Sequence, residues 1–113
     1  MQERSSIFAK GVYRDRKCLI NSLKEFLTEL KRLPEVKRVI LFGSIVRGDY
    51  GLRSDADVLV ILNKSRYKRF FDRIPRYLSI IDPPIPVDIF PFTIEEIKRN
   101  KIATHALKNG IEL

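Results

Sequence analysis

Leu41-Phe42-Gly43-Ser44-Ile45-Val46-Arg47-Gly48-Asp49-Tyr50-Gly51-Leu52-Arg53-Ser54-Asp55-Ala56-Asp57-Val58-Leu59-Val60 decides how this 113-residue chain is read. The stretch closes one strand and opens another. Residues 36–42, Val-Lys-Arg-Val-Ile-Leu-Phe, are rich in β-branched and large apolar side chains and stop at Gly43, which reads as a strand. Residues 56–62 put Ala56, Val58, Val60 and Leu62 on one face and Leu59 and Ile61 on the other. A strand apolar on both faces is expected in the middle of a sheet with both sides covered. The eleven residues from Ser44 to Ser54 must return the chain from the end of the first strand to the start of the second, as an antiparallel pair does. Gly43-Ser44 then lies beside Asp55 and Asp57.

Before this stretch, Leu19, Leu23, Phe26, Leu27, Leu30 and Leu33 recur at the spacing of one helical face, and Pro34 ends that helix. After it, Tyr67, Phe70, Phe71, Ile74 and Leu78 predict a second amphipathic helix over 65–78. Arg66, Lys68, Arg69, Arg73 and Arg76 fall on its opposite face, and Pro75 is expected to kink or end it. Residues 82–86, Asp-Pro-Pro-Ile-Pro, form a stiff extended connection to a short third strand, residues 87–90. Thr93 and Glu96 have capping-box spacing for a last helix, with Gly110 as its C′ residue. The order αβ(α)βαβα predicts an α/β (α+β) fold: a small mixed sheet of three or more strands with helices packed on it. No internal repeat or linker divides the chain. One domain over residues 1–113 is expected, with 1–17 set apart as a loosely ordered or partner-binding N-terminal segment.

Three features carry chemistry. Backbone N–H groups where Gly43-Ser44 leaves a strand and enters a helical turn are donors for phosphate oxygens, although a Gly/Ser turn can also serve only to reverse the chain. Asp55 and Asp57 are two apart on a strand, so both side chains leave one face, about 6.6 Å apart along the chain. Carboxylates so placed repel unless a cation lies between them, and hard oxygen ligands suit Mg²⁺. The plainer alternative is a Ser54-Asp55 turn with Asp57 at a solvated edge. Asp88 is the third acid, a charge among Val87, Ile89 and Phe90 that is unusual in a strand without a partner or a metal. If its strand lies beside Asp57, three carboxylates can hold two metal ions about 3.5–4 Å apart, the arrangement used for in-line displacement at phosphorus.

Gly43-Ser44, ten residues, Asp55-x-Asp57 and a later strand Asp, Asp88, together resemble the DNA polymerase β-like nucleotidyltransferases. The fuller pattern Gly43-Ser44-x-x-Arg47-Gly48 with Ser54-Asp55-x-Asp57 is similar to that of the minimal nucleotidyltransferase (MNT) domains. In element order the resemblance spans residues 19–113, although its specific matches are confined to 43–60 and Asp88. Val46 stands where the family often has Ala, and Ala56 and Val58 where Ile and Leu are common. Every acidic position is intact. The resemblance implies a palm-like nucleotidyltransferase fold. It also implies a site in which two Mg²⁺ ions, held by Asp55, Asp57 and Asp88, bind the triphosphate of a nucleotide. Asp88 either completes the second metal site or acts as base for the attacking hydroxyl. Gly43 and Ser44 hold the β- and γ-phosphates, and Arg47 neutralises developing charge, unless it is a plain surface arginine. The implied reaction moves AMP from ATP to a hydroxyl, with a tyrosine of a HEPN-domain protein as acceptor and a toxin–antitoxin pair as setting.

Composition narrows the field without choosing within it. The 22 Lys+Arg against 14 Asp+Glu give a net charge of +8, a surface that attracts nucleotides, nucleic acids and acidic proteins. One cysteine, Cys18, excludes an intrachain disulfide and a cysteine-based zinc site, and reads as core rather than nucleophile. The lone His105 reads as structural or surface. No apolar run approaches the ~20 residues of a membrane span, and residues 1–10 lack the apolar segment of a secretory signal. A cytoplasmic protein is expected. The basic run 64–76 suggests a docking face for an acidic partner. Two competing readings are a non-catalytic binding module of the same fold and a nucleic-acid-binding module using that basic face.

Overall fold

A computed structural model describes residues 16–47, 56–81 and 86–113. Its elements, in chain order, are α1 (Arg16–Lys31), β1 (Val36–Phe42), α2 (Ser44–Arg47), β2 (Ala56–Leu62), α3 (Phe70–Leu78), β3 (Val87–Thr93), α4 (Ile94–Ile97), α5 (Lys101–Asn109) and β4 (Ile111–Glu112). The sheet order is β3-β2-β1-β4. β1 pairs antiparallel with β2 and with β4, and β2 pairs parallel with β3. The mixed α/β class expected from the sequence is the class observed. Residues 1–15 and the acidic turn at 55 lie outside the described residues, as does the 82–85 connection.

Strand alternation sorts the core into two layers. Leu19, Leu23, Leu27 and Leu30 of α1 pack with Val39, Leu41, Val58, Val60 and Leu62 on one face of the sheet. Ile40, Phe42, Leu59, Ile61 and Phe92 pack with Ala103 and Ala106 of α5 on the other. β2 is thus covered on both sides, which explains why its sequence is apolar in both registers. Large-to-small changes there, such as Leu59→Ala, remove buried methyl groups on a fully enclosed strand and typically cost about 2–5 kcal/mol. No helix among the described residues is long and apolar enough to cross a membrane.

Several local expectations are corrected. β3 runs on through Pro91 to Thr93 instead of ending at 90. It is an edge strand, where a missing N–H is tolerated. α3 begins at Phe70 rather than 65 and continues past Pro75 to Leu78, with Ser79 N–H donating to the Pro75 carbonyl at 3.0 Å. Its inward face is also different. Arg73 is 3% exposed and Tyr77 2%, while Phe71 is 76% exposed and points outward.

Arg73 tolerates burial because every side of its guanidinium is satisfied. Nε donates to the Tyr67 carbonyl at 2.8 Å, Nη1 to the Pro91 carbonyl at 3.0 Å and Nη2 to the Lys68 carbonyl at 3.0 Å. A bidentate pair with Glu96, at 2.6 and 3.0 Å, completes the set. Glu96 also closes the expected capping box. Thr93 N–H donates to Glu96 Oε1 at 2.9 Å, and Glu96 N–H donates to Thr93 Oγ1 at 3.3 Å. One carboxylate therefore caps α4 and anchors α3, which locks β3 between them.

The last helix is two, α4 and α5, with Asn100 capping the second by accepting from Ala103 N–H at 3.0 Å. Gly110 is extended (φ −87, ψ 178) rather than left-handed. A Cβ there would meet the Ala106 carbonyl at 2.5 Å and Ile40 Cγ2 at 2.5 Å. Close approach of α5 to β1, not backbone handedness, demands glycine at this position.

Candidate active site

The parallel β2–β3 ladder places Asp57 and Asp88 in register. Neighbouring strands lie about 4.8 Å apart, and in-register residues project from the same face. That face is the α5 side of the sheet, because Asp57 alternates with the buried Ala56 and Val58 of the α1 side. Asp57 is half-buried and Asp88 exposed. Two of the three predicted carboxylates are therefore adjacent at one end of the sheet, as the reading of β3 beside β2 required. Asp55 lies outside the described residues, and so does the side chain of Arg47, whose backbone ends α2.

On the other side of Asp57, its antiparallel partner is Phe42, the last residue of β1. Gly43 follows and turns with φ +92, the only positive φ among the described residues. An ideal Cβ on Gly43 would collide with the Asp57 carboxylate, at Oδ2, and would lie 3.0 Å from its Cγ. The glycine thus meets two demands at once. The backbone must enter the left-handed region, and the space a side chain would fill belongs to the Asp57 carboxylate. Val46 N–H then donates to the Gly43 carbonyl at 3.1 Å, which starts the single helical turn of α2 at Ser44. Gly43 and Ser44 are thereby held against Asp57, the juxtaposition expected from the length of the connection.

An aromatic layer backs the acidic pair. Phe42 lies 5.6 Å from Phe90 between ring centroids, and His105 of α5 approaches Phe42 edge-on at 6.5 Å. His105 is exposed, with Asn109 Nδ2 3.2 Å from its Nδ1. It is a surface residue, as expected, but one placed at the site end of the sheet. Sequence reasoning did not connect Phe42 to the site. The signal was available, since an antiparallel pair turning at Gly43 sets Phe42 opposite Asp57.

Asp57 and Asp88 supply hard oxygen donors side by side, a set that suits Mg²⁺ and not a softer ion. Among the described residues no cluster of three metal-ligating side chains forms, since the third expected acid, Asp55, is not among them. The chemistry this arrangement can perform is that of a phosphate-handling site. A glycine turn abuts Asp57, one of an acidic pair able to hold cations against a polyphosphate.

Comparison with known proteins gives this geometry its family. Residues 23–113 match the family model described as "Nucleotidyltransferase domain". Two Methanocaldococcus jannaschii proteins, each named "Putative protein adenylyltransferase", are similar to the chain. One is 44% identical over 97 residues, covering 84% of this chain and 98% of its own length. The other is 45% identical over 42 residues, 35% of this chain and 42% of its own. A solved structure described as a "putative nucleotidyltransferase" from Sulfolobus solfataricus superposes with a TM-score of 0.60 at 27% identity, covering 85% of this chain and 82% of that one. With the match spanning the sheet, the glycine turn and both described carboxylates, the chain belongs to the nucleotidyltransferase domain family and is a nucleotidyltransferase enzyme.

Proposed function

We propose that the protein transfers AMP from ATP to a hydroxyl group of a protein, a tyrosine, with Asp55, Asp57 and Asp88 as its catalytic and metal-holding acids. The observation that carries the proposal is the in-register pairing of Asp57 with Asp88 beside the Gly43 turn. The protein acceptor is supported by the names of the M. jannaschii relatives.

Asp55, Asp57 and Asp88 would hold two Mg²⁺ ions, which when bound neutralise the triphosphate and favour ionisation of the attacking hydroxyl. Gly43 and Ser44 present backbone donors to the β- and γ-phosphates, and Arg47 offers a guanidinium to the charge that develops in the transition state. The acceptor oxygen forms a bond to the α-phosphorus as the bond to the bridging oxygen breaks. Pyrophosphate leaves, and the hydroxyl proton passes to Asp88 or to water. The Asp57 carboxylate occupies the space over Gly43, which supports a reading in which the turn and this acid are positioned together, as phosphoryl transfer requires. A HEPN-domain protein as acceptor, a toxin–antitoxin pair as setting and the cytoplasm as location complete the reading, each resting on the sequence resemblance.

The test is incubation with α-labelled ATP, Mg²⁺ and extract of the native cell. Label on a protein band, mapped by fragmentation mass spectrometry to a tyrosine, is the expected result. Label confined to nucleic acid or to small molecules would contradict a protein acceptor.

A further inference from the structure

The basic run 64–76 does not survive folding as one cationic face. Arg73 is buried on Glu96. Arg76 is taken by Glu35, its Nε donating at 2.8 Å, with the Tyr77 hydroxyl donating to the same carboxylate oxygen at 3.1 Å. Among the described residues Lys64, Arg66, Lys68 and Arg69 have no acidic partner. They lie together in the segment leading into α3. The outward face of α3 beside them carries an apolar stripe flanked by Asp72 and Arg76: Phe71 (76% exposed), Pro75 and Leu78 (41%) recur at i, i+4 and i+7. Phe71 keeps only an edge-on contact with Phe70, 5.2 Å between ring centroids, and leaves most of its surface uncovered. Where the cationic segment meets Arg76 and Tyr77 of α3, a cavity of about 300 Å³ is bordered by Glu35, Lys64, Arg66 and Tyr67.

We infer that this stripe and its cationic border are the docking surface for the acceptor protein, which presents an apolar patch rimmed by acidic side chains. The inference rests on the protein-acceptor reading above and adds the place where the acceptor is gripped. Charge complementarity selects the occupant. A second copy of this chain, meeting it face to face, would set four unpaired cations against four more, and like-charge juxtaposition opposes such an isologous contact. Nucleic acid would satisfy the cations and could stack a base on Phe71 but would leave Pro75 and Leu78 without a partner, whereas helix faces with i, i+4, i+7 anchors are a recurrent mode of protein recognition. An acidic side chain entering the cavity would meet Lys64 and Arg66, whose charges are not already spent. The surface is formed by α3 and the segment before it, not by the strand ends that carry Asp57 and Asp88. Docking there leaves the site open to ATP.

The test has two readouts. With the acceptor identified by label transfer, Phe71→Glu and the double variant Lys64→Glu/Arg66→Glu should each raise the KM for acceptor about tenfold or more, the scale of losing an interface anchor. The kcat at saturating acceptor and the KM for ATP should hold. An unchanged acceptor KM in both variants would overturn the inference. Separately, a photo-crosslinking phenylalanine analogue at position 71, introduced in the native cell, should give an adduct with the protein that accepts AMP, and Asp57→Asn should leave that adduct intact. An RNA adduct, or none, would also overturn it. If no protein accepts AMP, the function reading fails instead. The docking claim is then judged by the crosslink alone: a protein adduct abolished by Lys64→Glu/Arg66→Glu sustains it, and any other result contradicts it.

Discussion

The Asp57 carboxylate lies where the β-carbon of residue 43 would be, so Gly43 and Asp57 occupy one space between them. The turn that follows β1 and the acid at the second position of β2 are consequently not independent features. The left-handed φ of Gly43 is the backbone's contribution and the folded-back carboxylate is the side chain's.

Gly43→Ala should therefore damage the site more than the fold. The strained φ costs about 1–3 kcal/mol, which thermal unfolding would read as a moderate loss of midpoint. Displacement of Asp57 should reduce AMP transfer by about 10²-fold or more, the scale of a positioning error of an ångström. A variant with unaltered turnover would show that the carboxylate can move without consequence.

Gly110→Ala makes the contrasting case. Its φ of −87 suits any residue, but the new methyl group would press on the Ala106 carbonyl and on Ile40. Overpacking at a helix–sheet contact costs about 1–3 kcal/mol. Chemical denaturation should show that loss, with the KM for ATP unchanged.

Arg73→Met should be among the most destabilising single changes in the described chain. It leaves the carbonyls of Tyr67, Lys68 and Pro91 without their donor and removes the anchor of Glu96. Breaking such a buried, multiply bonded ion costs about 3 kcal/mol, enough to lower the unfolding midpoint by roughly 10 °C or more in a domain of this size. Glu96→Gln keeps the shape of the cap and should cost less.

Stability should also depend on pH at both ends. The hydrogen bonds from Arg76 to Glu35 and from Arg73 to Glu96 hold both carboxyls below the ordinary value of 4.5. A depressed folded value contributes stability that is complete above pH 4.5 and is lost as pH falls through the folded values. Burial, reinforced by the neighbouring Glu35 charge, pushes the Tyr77 hydroxyl up from 10 to about 12. The raised value contributes stability that is whole below pH 10 and lost as pH climbs toward 12. Unfolding free energies of the native chain minus those of Glu35→Gln should shrink below pH 4.5, and minus those of Tyr77→Phe should shrink above pH 10. Differences flat across pH would contradict these pairings.

Much of this was legible in the residues. The alternation of Val87, Asp88, Ile89 and Phe90 gave the face of Asp88, and the doubly apolar β2 gave the middle of the sheet. The connection from Ser44 to Ser54 forced the antiparallel pair that brings Gly43 to Asp57. What escaped was decided by tertiary satisfaction. Arg73 reads as solvent-facing until three carbonyls and a carboxylate converge on it, and Phe71 reads as core until Arg73 and Tyr77 claim the inward face. Pro91 reads as a strand end because only sheet order shows that β3 is an edge. The two residues of β4 are too few to carry a pattern, and they form because Gly110 lets the chain pass close over β1.

The central claim is that Asp57 and its in-register neighbour Asp88 form one catalytic acidic unit. The most direct test measures Mg²⁺-dependent AMP transfer and pyrophosphate release by the native chain, Asp57→Asn and Asp88→Asn, each first shown to unfold at or above the native temperature. The account predicts that either change alone lowers both rates by at least about 10³-fold, and that the double variant is little worse than either single one, as expected of groups that act together. Transfer that persists at near-native rate in Asp88→Asn would contradict it.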